Sequence, residues 1–259
     1  PEILLLVLAS LILALDLILP RHQHKNLGWV AATGLGLIML SSLAAWPTGE
    51  GQLIWGGMLR YDWLGFVFKL VFLFGAAITA LFAMDVKGLG DRGEFYLLML
   101  ASTLGMAFIA SAADIVMLYL AIETTSIPLY ILAGFFLKDK KSTEAGFKYL
   151  LFGAMTSAIM LYGLSLLYGF AGTTDLYAIA ANLLQGAGPV VYVIGSLVMV
   201  LIGFGFKISA VPLHFWAPDV YEGAPTPIAG FLSTASKAAG FAVVLRVLQI
   251  VFPAETSTW

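Results

Sequence analysis

Long apolar runs divide the chain into eight segments of membrane-spanning length. A bilayer core about 30 Å thick needs about 20 apolar residues in a helix. Windows of this kind fall at residues 3–19, 27–45, 61–84, 95–113, 115–137, 145–168, 189–211 and 226–252. Short polar or turn-forming stretches such as "PRHQHKN" and "KDKKSTE" separate them. The pattern predicts an all-α polytopic membrane protein with about eight transmembrane helices.

The seventh apolar segment differs from the others in length and in proline content. Its run over residues 190–221 is too long for one span and contains Pro212 and Pro218. Proline lacks a backbone donor and disrupts a continuous helix. We therefore expect the seventh helix to be broken, with its freed backbone groups facing protein or water. The alternative is a full span that ends near Val211 and continues as an interfacial loop.

The composition agrees with a membrane protein and excludes several kinds of partner. Of the 259 residues, 61% are hydrophobic and 11% are charged, and the net charge is -2. Because the chain has no large basic field, we do not expect it to bind nucleic acid. Disulfides and thiolate metal sites are excluded because there is no cysteine, and the three histidines, His22, His24 and His214, are too scattered to suggest a metal cluster. We expect no metal or cofactor site within this chain.

The distribution of basic residues predicts an orientation. Lysine and arginine favour the cytoplasmic side of a membrane when they lie in short loops. The loops after helices two, four and six contain only Arg60, whereas those after helices one, three and five contain seven basic residues: Arg21, Lys25, Lys87, Arg92, Lys138, Lys140 and Lys141. We therefore expect the N-terminus to face outside, which is the periplasmic side of a bacterial inner membrane or its organellar equivalent.

Four ionisable residues within the predicted helices are candidates for function: Glu123, Lys148, Lys207 and Lys237. Charged side chains inside a membrane are costly, and they often mark ion or proton pathways. Lys148 lies near the end of its helix, so an interfacial anchor is the alternative for that residue. Lys69 and Asp16 are also intramembrane by position, but they lack comparable polar neighbours and receive no role. Arg246 is expected to reach the outer interface.

The helix around Glu123 has a polar face. Helical spacing places three residues on the same face as this acid: Tyr119, Ser126 and Tyr130. Pro128 cannot donate a hydrogen bond to the carbonyl of Thr124, so we expect a helix break that leaves an acceptor available to water. Polar groups therefore surround the predicted buried carboxylate.

Two of the lysines also have distinctive neighbours. Ser233 and Thr234 precede Lys237 by four and three positions, which places them on the same helix face. The stretch "GFGFK" has two glycines before Lys207, which leave room for water or for a close helix. Plain helix packing is the alternative explanation for these glycines.

Longer motifs resemble a known family. The stretch "GFKISAVPLHFWAPDVYEGAPTPIAGFLSTASKAAGF", residues 205–241, is similar to the seventh and eighth helices of the antiporter-like membrane subunits of respiratory complex I, the NADH:quinone oxidoreductase. Within that family, "WAPDVYEGAPTP" is most similar to the subunit N branch. The stretches "EFYLLMLASTLGM", "LYLAIETTSIPLYIL" and "EAGFKYLLFGAM" extend the resemblance over residues 94–246.

The resemblance implies a proton-translocating membrane-arm subunit that is driven by electron transfer in other subunits. The family's helix-five acid and its lysines in helices six, seven and eight fall on Glu123, Lys148, Lys207 and Lys237. We expect Lys207 to be the partner of Glu123. Pro212 marks the helix break, and His214 is a further polar group beside it.

The resemblance also implies an organisation for the whole subunit. Residues 1–93 form transmembrane helices one to three, and residues 94–259 form the first of two inverted repeats. The second repeat is absent from this sequence, so we expect a longer protein. NADH, flavin, iron–sulfur clusters and quinone are expected in partner subunits, and the partners of this chain are other membrane-arm subunits, lipid, protons and water.

Two other functions fit the same helices. A cation/proton (Na+/H+) antiporter subunit would use a sodium gradient instead of redox energy. A passive membrane scaffold of a related redox complex would tolerate neutral substitutions at all four charged positions. The sequence does not choose the electron donor of the complex.

Overall fold

The computed structural model describes residues 1–20, 23–49 and 51–251. Within them the chain forms a two-stranded antiparallel hairpin, β1 (Gln52–Ile54) and β2 (Leu59–Tyr61), and eleven helices. The helices are α1 (Glu2–Ile18), α2 (Asn26–Ala44), α3 (Trp63–Ala83), α4 (Gly93–Ser111), α5 (Ile115–Ala133), α6 (Lys140–Ala171), α7 (Leu176–Leu184), α8 (Val190–Ile208), α9 (Ala217–Gly223), α10 (Thr226–Ser233) and α11 (Ala235–Val251). Arg21, His22 and the predicted end of the eighth span at residue 252 lie outside the described residues.

Seven stretches of the described chain are long and apolar enough to cross a membrane. They are α2, α3, α4, α5, α6, α8 and the stretch Thr226–Ile250, which comprises α10 and most of α11. The 17-residue helix α1 corresponds to the first predicted span and is about 26 Å long at 1.5 Å per residue. The predicted polytopic helical membrane fold is confirmed.

Two elements were not predicted from the sequence. The hairpin β1–β2 lies in the loop after α2, and its turn contains Gly56 and Gly57 with φ of 68° and 90°, values that glycine adopts without strain. Helix α7 lies in the stretch that was expected to be a plain connection. Asp175 caps it by accepting a hydrogen bond from the Ala178 amide at 2.7 Å. Both elements are too short to produce a membrane-length signal.

The seventh helix is broken, as the prolines predicted. Helix α8 ends at Ile208, and Ser209 adopts a left-handed conformation with φ of 56°. Turns follow, and α9 begins at Ala217. The break therefore begins three residues before Pro212, and α8, with 19 residues, is itself long enough to cross a membrane.

The other predicted break is not found. Pro128 lies inside the continuous helix α5, which ends five residues later at Ala133. Membrane helices tolerate an internal proline where neighbouring groups satisfy the freed carbonyl. The expectation of a helix break at Pro128 was therefore wrong.

The eighth span has an unexpected interruption just before Lys237. Helix α10 ends at Ser233, Thr234 has φ of -112° and ψ of -81°, and α11 begins at Ala235. The hydroxyls of Ser233 and Thr234 donate to the carbonyl of Gly230 at 3.0 and 2.7 Å. Both side chains are exposed and bond to their own backbone, because the interruption turns them away from the helix face that the regular spacing predicted.

Glycines bring α5, α6 and α8 close together around the predicted functional residues. A Cβ atom on Gly146 of α6 would lie 2.7 Å from the Cα of Gly134, just after α5. A Cβ on Gly203 of α8 would lie 2.7 Å from the Cβ of Met160 of α6. Such approaches require residues without a side chain. The packing explanation therefore accounts for Gly203.

Candidate functional site

Glu123 lies half-buried on α5 and contacts α6. The hydroxyl of Ser157 donates a hydrogen bond to its carboxylate. Within the described part of the chain, no lysine or arginine nitrogen lies within 4.0 Å of this carboxylate. In this conformation the acid is held by a neutral group.

Lys207 is buried in the last turn of α8, where only 6% of its surface is exposed. Its ammonium donates to the hydroxyl oxygen of Ser126 at 2.5 Å, and that hydroxyl donates to the carbonyl of Ile122 at 2.5 Å. Ser126 follows Glu123 by less than one helical turn, so the polar face predicted for α5 does receive a lysine. A hydroxyl both accepts and donates hydrogen bonds, which allows it to relay a proton.

A small cavity of about 10 Å³ lies beside this contact, lined by Ser126, Ser157 and Lys207 among others. A volume of this order is at the lower limit for one water molecule. The direct Glu123–Lys207 ion pair expected from the sequence is not present among the described residues. The acid and the base instead contact two hydroxyls that face the same small cavity.

Lys237 of α11 lies at the end of α8. Its ammonium donates to the carbonyl of Lys207 at 3.1 Å and to the hydroxyl of Ser209. The last carbonyls of a helix lack helical donors and carry partial negative charge, which favours a cation. The break at Ser209 therefore supplies the acceptors for Lys237, and it links this lysine to Lys207 through the backbone.

Close packing holds the two lysine-bearing helices together at this point. A Cβ on Gly240 of α11 would lie 3.3 Å from the backbone nitrogen of Ile208. Gly240 follows Lys237 by three residues and lies on the same side of α11. A glycine here allows α11 to approach the end of α8 closely enough for the lysine to reach its carbonyl.

Lys148 belongs to a different group of charges. It forms ion pairs with Asp219 of α9 and, at 2.7 Å, with Glu144 of α6. A second pair joins Lys141 and Glu222 at 2.6 Å between the same two helices. Lys148 is a third exposed, and the structure does not bring it together with Glu123. Its contacts fit the interfacial position that its sequence depth suggested.

The remaining residues predicted for the site have fewer contacts with Glu123 and the lysines. Tyr130 is buried on α5, and its ring packs edge-on against Tyr149 of α6 with centroids 4.7 Å apart. Tyr119 is half-buried, and His214 is exposed in the turns after α8. Across the described residues, no hydrogen bond joins either side chain to the lysines.

Three residues of the site were not singled out from the sequence: Ser157, Ser209 and Trp216. Ser157 lies four residues after Gly153 on α6, and helical spacing places both residues on one face. Ser209 follows Lys207 at the break, and Trp216 lies within the motif that carries the family resemblance. Each of them contacts a residue of another helix. The periodicity of residues along one helix does not reveal such contacts.

The intramembrane charges without a predicted role also have partners. Lys69 of α3 forms an ion pair with Glu2 of α1 at 2.5 Å. Asp16 accepts a hydrogen bond from the Gly93 amide at 3.1 Å and lies 3.3 Å from His24. These contacts join helices that are distant in sequence.

Arg246 is buried within the protein and has a charged partner near the beginning of α3. The residue is 1% exposed. Its guanidinium binds both carboxylate oxygens of Asp62 and, at 2.5 Å, the carbonyl of Ala110. Asp62 precedes α3 and faces α11, so the arginine turns inward to a charged partner.

The hydroxyl of Ser126 gives the first testable prediction. Replacing Ser126 by alanine removes an acceptor from a buried ammonium, and we expect a loss of about 1–3 kcal/mol in the free energy of unfolding. Denaturant titration of the full-length protein in detergent measures this loss. The matched control is Ser10→Ala, since the exposed Ser10 hydroxyl bonds only its own helix at 2.9 Å. Equal effects of the two substitutions would contradict the assignment.

Comparisons with known proteins place this geometry in a family. The transmembrane family described as "NADH:quinone oxidoreductase/Mrp antiporter, TM" matches residues 112–259. The chain is 46% identical over its whole length to NADH-quinone oxidoreductase subunit N of Moorella thermoacetica, covering 54% of that protein. It is 44% identical to NAD(P)H-quinone oxidoreductase subunit 2 of Synechococcus elongatus, again over its whole length and covering 50% of that protein. The chain thus spans about half the length of these relatives.

Solved structures agree with the sequence comparisons. A chain of respiratory complex I from Thermus thermophilus matches with a TM-score of 0.80 and 36% identity, over 95% of this chain and 52% of that one. A chain of the Mrp complex from Dietzia matches with a TM-score of 0.78 and 25% identity, over 96% of this chain and 28% of that one. The resemblance drawn from the motifs is confirmed, and the chain belongs to the NADH:quinone oxidoreductase/Mrp antiporter transmembrane family.

Proposed function

We propose that this chain is the proton-translocating part of a membrane-arm subunit of an NADH:quinone oxidoreductase. One observation carries the proposal: two lysines, Lys207 and Lys237, lie within the membrane-spanning helices and are linked through the end of α8, and the serines that bind Glu123 and Lys207 line one small cavity. Buried ionisable groups in such helices are costly and typically serve ion transport. The similarity to relatives named subunit N supports the same function.

The contacts support a proton relay that starts at the acid. If Glu123 leaves Ser157 and approaches Lys207, a carboxylate replaces a hydroxyl beside the ammonium, and the charged form of the lysine is favoured. When Glu123 returns to Ser157, that stabilisation is lost and the proton is easier to release. Ser157 donates to Glu123 and Ser126 accepts from Lys207, and both hydroxyls line the same small cavity, where one water molecule would complete the link.

Lys237 and Lys148 occupy the two sides of this relay in the proposal. Lys237 exchanges a proton with Lys207 across the end of α8. Lys148, together with Asp219 and Glu144, lies at the more exposed end of α6 and exchanges protons with the cytoplasmic side. Redox energy enters through partner subunits, which hold the NADH, flavin, iron–sulfur and quinone sites; this chain contributes transport and no redox centre.

The proposal includes a location and an organisation. The full-length protein lies in an energy-transducing membrane, with its N-terminus on the outside. Residues 1–93 contribute the first three spans, and residues 94–259 form the first repeat. A second, inverted repeat completes the path to the far side, within an assembly of other membrane-arm subunits.

Substitution of Glu123 tests the function. Glu123→Gln in the full-length protein of the assembled complex keeps a hydrogen-bond acceptor for Ser157 but removes the charge. We expect the number of protons pumped per electron to fall by about tenfold, which corresponds to a rise of about 1.4 kcal/mol in the barrier to proton transfer, while uncoupled electron transfer continues. Proton uptake into sealed vesicles, measured alongside quinone reduction, gives this ratio. Thr124→Val is the control, because Thr124 is exposed on the same helix. An unchanged ratio in Glu123→Gln would refute the proposal.

The match to the Mrp complex favours one alternative, a subunit of a cation/proton antiporter. Such an assembly would exchange sodium for protons without NADH. Purification of the native complex distinguishes the two, since only the oxidoreductase carries flavin and iron–sulfur subunits. A passive scaffold would retain pumping after neutral substitution of Glu123, Lys148, Lys207 and Lys237.

A further inference from the structure

Lys237, like Lys207, is a core lysine without a carboxylate partner among the described residues. Among the described residues, no aspartate or glutamate oxygen lies within 4.0 Å of its ammonium. Its two hydrogen-bond acceptors, the Lys207 carbonyl and the Ser209 hydroxyl, are neutral. A buried ammonium needs further electrostatic stabilisation, because burial removes its hydration.

The indole ring of Trp216 provides a face for this ammonium. The Lys237 nitrogen lies 4.5 Å from the ring centroid. This is within the distance at which the negative face of an aromatic ring attracts a cation, and tryptophan is the strongest of the aromatic residues in this respect. The ring of Tyr221 lies further away, at 6.0 Å.

The ring is fixed in position by its surroundings. Trp216 is 1% exposed. Its ring is nearly parallel to that of Tyr149, with centroids 4.4 Å apart and planes 9° apart, and the Phe206 ring lies 4.8 Å away. A ring held by two aromatic neighbours is a rigid surface for a cation.

Helix α9, which begins directly after Trp216, is joined to α6 by ion pairs. Trp216 is the residue before α9, and α9 carries the acids of two ion pairs with α6. The position of the indole therefore depends on the charged contacts of Lys141 and Lys148. This arrangement gives Lys148 a connection to Lys237 through α9.

We propose that Trp216 is a positioning residue that holds the Lys237 ammonium against its ring face in place of a carboxylate. The ring has a chemical advantage over an acid at this point, because it stabilises the cation without providing a basic site that takes the proton. The contact itself stands on the geometry, and its role in transport rests on the proposed function.

Several groups face Lys237, so an experiment must separate the effect of the indole on the ammonium from the effects of the other groups. They are the end of α8 with Lys207 and Ser209, the Tyr221 ring of α9, and the indole, which Tyr149 of α6 backs. Only the indole can be weakened electronically with little change of shape, since fluorine atoms on the ring withdraw charge from its face. A series from monofluoro- to tetrafluorotryptophan at position 216 therefore probes the cation contact itself.

The experiment is a thermal unfolding series on the full-length protein in its assembled complex. We expect each added fluorine to lower the melting temperature, with a total fall of about 2–4 °C across the series. In a Lys237→Met background the same series should be flat, because no cation faces the ring. Fluorination of the exposed Trp63 should have no effect in either background.

Two results would overturn the proposal. A flat series with lysine at position 237 would show that the ring face does not stabilise the cation. Equal falls in the lysine and methionine backgrounds would show that Trp216 only packs. The unfolding series does not depend on pumping, so a failure of the Glu123→Gln test would refute the proposed function without altering this result. Proton pumping that falls in step with fluorination would support the role in transport.

Discussion

Replacing Arg246 by methionine is expected to destabilise the folded protein by about 3–5 kcal/mol, because the substitution leaves a buried carboxylate without its charged partner. Asp62 loses two hydrogen bonds from the guanidinium, and the carbonyl of Ala110 loses another. Asp62 also caps α3 by accepting from the Gly65 amide at 2.9 Å. The effect should appear in denaturant unfolding of the full-length protein in detergent.

Two further variants separate the ion pair from simple loss of a large side chain. Asp62→Asn combined with Arg246→Met removes both charges, and the double variant should recover more than half of the lost stability. Arg60→Met is the control, since Arg60 is about a third exposed and lies 3.4 Å from the same carboxylate; we expect a loss below about 1 kcal/mol there. A double variant as unstable as Arg246→Met alone would contradict the explanation.

The same pair predicts a dependence on pH. Burial opposes ionisation of Asp62, but the hydrogen bond and the charge of Arg246 outweigh it and hold the pKa of this carboxyl below its usual value of 3.8. The stabilisation is therefore complete above that usual value, and it is lost as the pH falls through the lower pKa of the folded protein. In Arg246→Met the buried, unpaired carboxyl is easier to protonate, so the stability difference between the native protein and this variant should begin to narrow in mild acid, before Asp62 of the native protein is itself protonated.

Replacing Lys207 by methionine is expected to reduce the protons pumped per electron by about a hundredfold in the assembled complex, a loss typical of removing a central acid–base group. Lys207 is the group that contacts Ser126 through its side chain and Lys237 through its backbone. Methionine keeps the length and the packing of the side chain but carries no proton. Proton uptake into sealed vesicles per quinone reduced gives the ratio.

Lys148→Met is the matched comparison. This lysine is a third exposed, and water together with Asp219 and Glu144 can take over proton exchange at that end. We expect the number of protons pumped per electron to fall by about threefold, which corresponds to a rise of about 1 kcal/mol or less in the barrier to proton transfer. Equal losses in the two variants would contradict the central position of Lys207, and normal pumping in Lys207→Met would refute the relay.

The sequence was sufficient to locate the helices and one face of the site. Apolar runs of membrane length placed each of the eight spans within a few residues, apart from the longer α6. Spacing along one helix placed Ser126 beside Glu123, and a lysine does bind that serine. The prolines predicted the broken seventh helix, although the left-handed residue that ends α8 is Ser209. These predictions succeeded for the same reason, because each depends only on the sequence of residues within one helix.

The failures all concern contacts between helices. Arg246 and Asp62 are 184 residues apart. The hydrophobic pattern around either residue does not indicate its partner. Glu123 was expected to bind Lys207, but Ser157 of α6 competes for the carboxylate. Pro128 was expected to break its helix, but α5 continues through it to Ala133. Partner choice across helices is a property of tertiary packing.

The end of α8 gives the two central lysines partners of different kinds. The hydroxyl that Lys207 contacts can rotate, and the nearby acid can gain or lose a proton, so the surroundings of that lysine change during a cycle. The two acceptors of Lys237, a backbone carbonyl and the Ser209 hydroxyl, are neutral groups. Lys207 therefore lies near an acid that can change its charge, whereas the direct hydrogen-bond acceptors of Lys237 keep theirs. In the proposed pump this difference would favour one direction of proton movement, and it results from the position at which α8 ends.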